Sequence, residues 1–236
     1  MTEPKPPYWR VQIVGPAIDT LDALLNLPNL GTVKDGDDVF LVSPEFETLD
    51  DTHAIDERAN QLLPIINGAG ALSSHGFKPV TLGPIYRIGE DGRKDAFIVA
   101  KGALISLSAR VAGVGVVMGK DGNVKHSKPT EPTLIKAVRH GRESDDVAYV
   151  LSLLNEPTWH NLYKIHERMR KVLGDKYLST IERTKSELGR FTQTANYEQR
   201  HDSKATGFQP HENPMTDREA IDFVRANIVR WLGTLQ

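Results

Sequence analysis

The pattern of apolar residues in this chain of 236 residues changes at a short polar segment, HSKPTEPT, which spans residues 126–133. Before this segment, apolar residues alternate with polar ones in short runs that end at Gly, Pro or Asn, which is typical of strands and turns. After it, apolar residues recur every three or four positions, which is typical of amphipathic helices. We therefore predict an α+β domain over residues 1–125, a linker over 126–133 and a helical bundle domain over 134–236.

The α+β domain is predicted to hold a mixed or antiparallel sheet with two helices. Residues 9–14 and 39–42 have the composition of strands, and two longer apolar runs on either side of the turn at residues 89–94 predict a β-hairpin. Helical spacing over residues 18–25 and 51–67 predicts the two helices. The second of these is expected to end at its Asn-Gly pair, because these residues favour helix C-termini.

The second domain is predicted to be an antiparallel bundle of about four helices, with short connections apart from one long loop. The last helix has the clearest start, since Thr216 at the N-cap and Glu219 three residues later form a capping box. The apolar faces of the four helices consist of Val147, Val150, Leu151 and Leu154; Trp159, Leu162, His166 and Met169; Tyr177, Ile181, Leu188, Phe191 and Ala195; and Ile221, Val224, Ile228 and Trp231.

Composition excludes several classes of function. The chain has no cysteine, which rules out disulfides, thiolate catalysis and Cys-ligated metal. Its net charge of −2 argues against sequence-independent attraction to nucleic acid or to anionic membranes. No window approaches the roughly 20 apolar residues that a membrane-spanning helix needs. We expect a cytoplasmic protein that does not contact a membrane and uses neither a cofactor nor a metal ion.

The candidate functional site is the long loop over residues 190–215, because loops held by rigid helices concentrate binding and catalytic groups. It contains Asn196, Arg200 and His201 within six positions. A His with a pKa near neutrality can exchange a proton with a ribose hydroxyl or a leaving oxygen, and an Arg can hold a phosphate by paired hydrogen bonds. In a catalytic interpretation, His201 is the acid or base, Arg200 contacts the phosphate and Asn196 orients either group. In the alternative interpretation, Arg200 and His201 are solvated and Asn196 is a helix C-cap.

Residues 145–232, with four helices and a polar Asn–His element after the third, resemble the HEPN superfamily. The motif of that family is an Arg, commonly followed by a polar residue such as Asn, with a His four to six residues beyond the Arg. Here Asn196 precedes His201 at a compatible interval, whereas Ala195 stands where the Arg would be and Arg200 adjoins the His. The resemblance implies either a metal-independent ribonuclease or a module that binds nucleotides or partners, in toxin–antitoxin or phage-defence settings.

The whole chain also resembles uncharacterised bacterial proteins, through a Trp-Arg strand near its start and the element Asn67-Gly68-Ala69. This resemblance implies a bacterial origin and no particular activity.

Three functions are consistent with these patterns. The first is a non-catalytic binding protein that recognises a protein partner or associates with itself, with RNA or a nucleotide as further candidate ligands. The second is a ribonuclease in which a second subunit supplies the missing cation. The third is a structural subunit of a larger assembly, with the hairpin as an available sheet edge. The departure from the Arg–His spacing of the family favours the first.

Two other groups of polar residues are expected to be structural. His160 and His166 are six positions apart and therefore lie on different helix faces, which disfavours a shared metal; His166 is expected in the core and His160 at the surface. Ser74 and His75 are neighbours in sequence, which is not how the members of a catalytic triad are arranged.

Overall fold

The computed structural model of the chain describes residues 7–17, 21, 27, 29–98, 132–181, 185–199 and 211–235. Within them the protein has the predicted α+β architecture, in which a five-stranded antiparallel sheet is followed by a set of helices. Most of the first predicted helix, over residues 18–25, and most of the predicted linker lie outside the described residues.

The strands are ordered β2-β3-β1-β4-β5 in the sheet, and every neighbouring pair is antiparallel. Their bounds are Tyr8–Val14 for β1, Gly31–Asp35 for β2, Asp38–Val42 for β3, Thr81–Ile88 for β4 and Lys94–Phe97 for β5. The β4–β5 hairpin confirms the predicted turn at residues 89–94. Strand β1 is central, pairing with β4 from Tyr8 to Val14 and with β3 from Val11 to Ile13. Its alternation of apolar and polar residues arises because successive side chains of a strand point to opposite faces of the sheet, and Val11 and Ile13 share the face that is buried in the core.

Strand β2 was not apparent from the sequence, because its five residues include one large apolar side chain, that of Val33. A two-residue turn joins β2 to β3 in a hairpin, and Asp35 pairs with Asp38 on either side of that turn. Gly36 has φ +64° at this turn, a conformation that glycine adopts without steric strain.

Seven α-helices follow or connect the strands in the described residues. Their bounds are Thr52–Ser73 for α1, Thr133–Glu143 for α2, Asp145–Leu154 for α3, Trp159–Leu173 for α4, Tyr177–Thr180 for α5, Lys185–Gln199 for α6 and Asp217–Thr234 for α7. The described residues add one helix, α2, to the four that the sequence predicts for the second half. The third predicted helix was wrong as a single element, because its residues form two helices, α5 and α6, and Ile181 after α5 has an extended backbone. The capping box is confirmed at the start of α7, where Thr216 and Glu219 bond reciprocally.

Helix α1 is longer than predicted, which corrects the expectation that it ends at its Asn-Gly pair. It begins after Asp51, whose side chain caps the first turn, and continues through Pro64 to Ser73. A β-carbon on Gly68 would lie 2.1 Å from the carbonyl oxygen of Leu151 in α3. This glycine therefore allows two helix backbones to approach each other, and it does not end the helix.

The apolar core is continuous from the sheet to the last helix. Val11 of β1, Ile66 of α1, Leu151 of α3 and Trp231 of α7 are all almost fully buried in the same cluster. Helix α1 packs against the sheet on one side and against α2 and α3 on the other. The division into two domains stays a prediction. If the two predicted domains exist, they share a core through α1.

Candidate functional site

The structure describes one of the three residues predicted to form a site. Asn196 is half-buried in α6, which continues to Gln199, so Asn196 is a residue of the last helical turn and not the C-cap of the helix. Arg200 and His201 lie outside the described residues. Their proposed roles as phosphate ligand and as acid or base stay predictions.

The ends of the long loop are held by Arg190 of α6. Its guanidinium donates to the backbone carbonyl of Asn213 at 2.7 Å, to that of Pro214 at 3.0 Å, and to the carboxylate of Glu219 at 2.9 Å. An arginine with three such partners is committed to positioning the start of α7. Arg190 is therefore not available to replace the arginine that the HEPN motif would require.

The carboxylate of Glu219, which caps α7, accepts hydrogen bonds both from its own helix start and from Arg190. The backbone N–H of Thr216, the hydroxyl of Thr216 and then the Arg190 guanidinium hold the pKa of Glu219 below its usual value. Each of these donors stabilises the ionised carboxylate. The N-terminus of α7 is therefore fixed by charged hydrogen bonds to α6 at neutral pH.

A cleft of about 730 Å³ lies beside the first half of α7. We call it the α7 cleft. The end of α1, the loop from α1 to β4, the connection between α3 and α4, and one side of α7 form its walls. Its volume falls within the range of sites that bind organic ligands or peptide side chains, about 300–1,000 Å³.

The floor of the α7 cleft is apolar. Phe77, Leu154, Pro157 and Ile221 line it, together with Ala71 of α1. A β-carbon on Gly70 would lie 2.3 Å from the ring of Phe77, so the aromatic wall exists because α1 carries a glycine at that position. Apolar surface that is rimmed by polar groups is characteristic of binding sites.

Polar side chains tie the walls of the α7 cleft together. Nδ1 of His75 lies 3.3 Å from Oδ1 of Asp222, an ion-pair distance without hydrogen-bond geometry. Arg225 donates to the carbonyl of Leu72 at 3.0 Å. Burial lowers the pKa of Arg225 and the nearby Asp222 opposes that effect. These contacts join α7 to the end of α1 and to the loop that follows.

Two acceptor atoms at the α7 cleft lack a hydrogen-bond donor among the described residues. They are Oδ1 of Asn155 and Oδ1 of Asp222, and both are buried. The amide nitrogen of Asn155 is already used, since it donates to the carbonyl of Pro64 at 3.3 Å. Buried acceptors without donors are energetically costly, and both residues belong to the walls of the cleft.

The α7 cleft was not predicted from the sequence. One signal was present on a single helix, where polar residues recur at Asp217, Arg218, Asp222 and Arg225 around the apolar Ile221. The opposite walls come from residues 71–79 and 154–157, which are far away in the chain. No spacing rule connects these segments, because the packing of α1 against α3 and α7 brings them together.

The chain matches no family model, no curated protein and no solved structure. Its function is therefore inferred from the geometry of the described residues. Among these, no three His, Asp or Glu side chains are grouped as a metal site would require. No described helix has the length and apolar character needed to cross a bilayer.

Proposed function

We propose that this protein is a binding protein and that the α7 cleft holds a short segment of a partner protein. The observation that carries the proposal is an apolar floor beside a row of charged side chains on α7, formed by Asp217, Arg218, Asp222 and Arg225. The segment would place an apolar side chain against Phe77 and Ile221. A basic side chain next to it would contact the half-exposed carboxylate of Asp222.

The shape of the cleft favours a peptide over a compact small molecule. Its polar edge follows α7 from Asp217 to Arg225, about 12 Å at the rise of an α-helix. That length matches about four residues of extended chain, whose backbone N–H groups would be available to acceptors along the edge. The edge presents two acidic and two basic side chains, so its net charge is near zero and apolar contact contributes most of the affinity.

Two features predicted from the sequence accompany this proposal. The HEPN-like character of the helical part and a toxin–antitoxin or phage-defence setting both rest on the resemblance of residues 145–232. Neither is needed for the α7 cleft to bind a peptide. If the partner is an antitoxin or a defence component, the result would support both the peptide-binding proposal and the proposed biological setting.

Selection from a displayed library of random peptides tests the proposal, with binding then measured by fluorescence anisotropy. We expect enriched peptides to carry an apolar residue beside Lys or Arg. The variant Ile221→Asp should weaken their binding at least about tenfold, because it puts a charge on the apolar floor. The matched control is Val229→Asp, at an exposed position two turns further along α7 and outside the cleft.

The proposal is contradicted if no peptide is enriched, or if enriched peptides bind wild type and Ile221→Asp equally well. Equal weakening by Ile221→Asp and Val229→Asp would point to general damage to α7. Thermal melting of both variants distinguishes that outcome from the loss of a site.

A further inference from the structure

A second cavity, of about 700 Å³, lies between α4, α5 and the start of α6. We call it the His166 cavity. It is separate from the α7 cleft, and the two share no lining residue. Its titratable lining groups are His166, Arg170, Asp175, Tyr177 and Lys185.

The imidazole at the base of this cavity is held in one orientation. His166 is 6% exposed, and its Nδ1 lies 2.6 Å from the hydroxyl of Tyr177. The rings of Tyr163, Tyr177 and Phe191 surround it at centroid distances of 5.4–5.8 Å. A histidine that is buried among aromatic rings and bonded through one nitrogen presents its other nitrogen in a defined direction.

The proton positions in this pair follow from the electrostatics. Burial, followed by the nearby charge of Arg170, lowers the pKa of His166 to about 4, against a small opposing effect of Glu167. Burial raises the pKa of Tyr177. Both groups are therefore neutral at pH 7. An imidazole nitrogen is a better acceptor than a phenol oxygen, so Tyr177 donates to Nδ1 and the proton of His166 is on Nε2.

Among the described residues, the rim of the cavity carries more positive than negative charge. Arg170 and Lys185 are both exposed, and neither makes an ion pair with a described residue. Asp175 is the one acidic group among the described lining residues, which gives them a net charge of +1.

The lining leaves room for a ligand at this rim. A β-carbon on Gly189 would meet no atom within 4 Å, and the same holds for Gly174. Leu178 is 53% exposed at the edge and provides an apolar surface next to the charged groups. A bare phosphate ion would fill only a small part of 700 Å³.

We propose that the His166 cavity binds a phosphate monoester with an organic body. The phosphate would lie between Arg170 and Lys185 and accept a hydrogen bond from Nε2 of His166, while the organic part would contact Tyr177 and Leu178. Two cations and a neutral N–H donor suit a dianion better than a carboxylate, which carries a single charge.

Titration of the protein with phenyl phosphate tests this site, with the His166 ring resonances followed by NMR. We expect saturable binding with a Kd below about 1 mM and a shift of the His166 signals. The variants Arg170→Gln and Lys185→Gln should each weaken binding about tenfold, the usual effect of losing one charged contact to phosphate. Lys171→Gln is the matched control, since Lys171 is the neighbour of Arg170 but does not line the cavity.

Benzoate and inorganic phosphate serve as comparison ligands. The proposal expects phenyl phosphate to bind at least about tenfold more tightly than benzoate, because benzoate lacks the second charge. It is overturned if phenyl phosphate does not saturate, if benzoate binds equally well, or if Lys171→Gln weakens binding as much as Arg170→Gln. Saturable binding without any shift of the His166 resonances would also overturn it.

Discussion

The amide of Asn67 shows how much of this fold depends on single polar groups. Its Nδ2 donates to the carbonyl of Val80, and its Oδ1 accepts from the N–H of Val80, both at 2.9 Å. Asn67 is 6% exposed, so water does not replace either bond. This side chain fixes the last third of α1 to the residue before β4, and thereby positions the loop that carries His75 and Phe77 in the α7 cleft.

Replacing this amide should be costly. We expect Asn67→Leu to lower the free energy of unfolding by about 2–4 kcal/mol, because two buried backbone groups lose their partners. Urea denaturation followed by circular dichroism measures the change. Asn60→Leu is the control on the same helix, where the side chain donates to the carbonyl of Asp56 one turn earlier, and its effect should be smaller. Equal effects would show that the contact to Val80 is unimportant.

Residue His166 should make stability depend on pH. Its pKa is about 4 in the folded protein, whereas an exposed His titrates near 6.5. The unfolded chain therefore binds more protons between these values, and stability falls as pH decreases from about 6.5 to about 4. The loss attributable to this group approaches roughly 3 kcal/mol. Urea denaturation of wild type and of His166→Gln at several pH values in this range measures the loss. If the unfolding free energies of the two proteins change equally with pH, the lowered pKa of His166 is contradicted.

At the scale of elements, the approach of α1 to α3 depends on Gly68. We expect Gly68→Ala to destabilise the protein by about 2–3 kcal/mol, because the added methyl would collide with backbone atoms of α3 that cannot move independently. Gly233→Ala is the matched control near the end of α7, where a β-carbon meets no atom within 4 Å. It should be neutral or stabilising by about 0.5 kcal/mol. Thermal and urea denaturation of both variants compare the two effects.

The sequence predicted individual elements better than their ends. Strands β1 and β3, the β4–β5 hairpin and the capped start of α7 follow from local signals that act within a few residues. The extension of α1 past its Asn-Gly pair does not, because its cause is a contact with Leu151, more than eighty positions away. Strand β2 was missed for a related reason, since pairing with β3 stabilises a segment whose own composition is weakly strand-like.

At the scale of the whole molecule, the shared core predicts cooperative unfolding. The cluster that contains Val11 also contains Trp231, and α1 packs against both the sheet and the helices. In the double variant Trp159→Phe/Trp231→Phe, the remaining Trp9 reports on the sheet while far-UV circular dichroism reports mainly on the helices. We expect both signals to give one coincident transition in urea. Two separated transitions would instead support independent domains.

Local sequence patterns also explain which features of the candidate sites could be predicted and which could not. The sequence correctly placed His166 in the core and His160 at the surface. It drew attention to Asn196, Arg200 and His201 because they are close in the chain. Neither cavity was predicted, since the walls of each come from elements that only tertiary packing brings together.

The most direct test of peptide binding at the α7 cleft is an exchange of charge between Asp222 and a selected peptide. Two peptides are compared, one with its basic residue and one in which that residue is replaced by Glu. The Kd of each peptide is measured for the wild-type protein and for Asp222→Arg. We expect Asp222→Arg to bind the basic peptide about tenfold or more weakly than wild type does. The same variant should bind the Glu peptide more tightly than the basic peptide. Equal effects of Asp222→Arg on both peptides would contradict the claim that Asp222 faces the basic group of a bound segment.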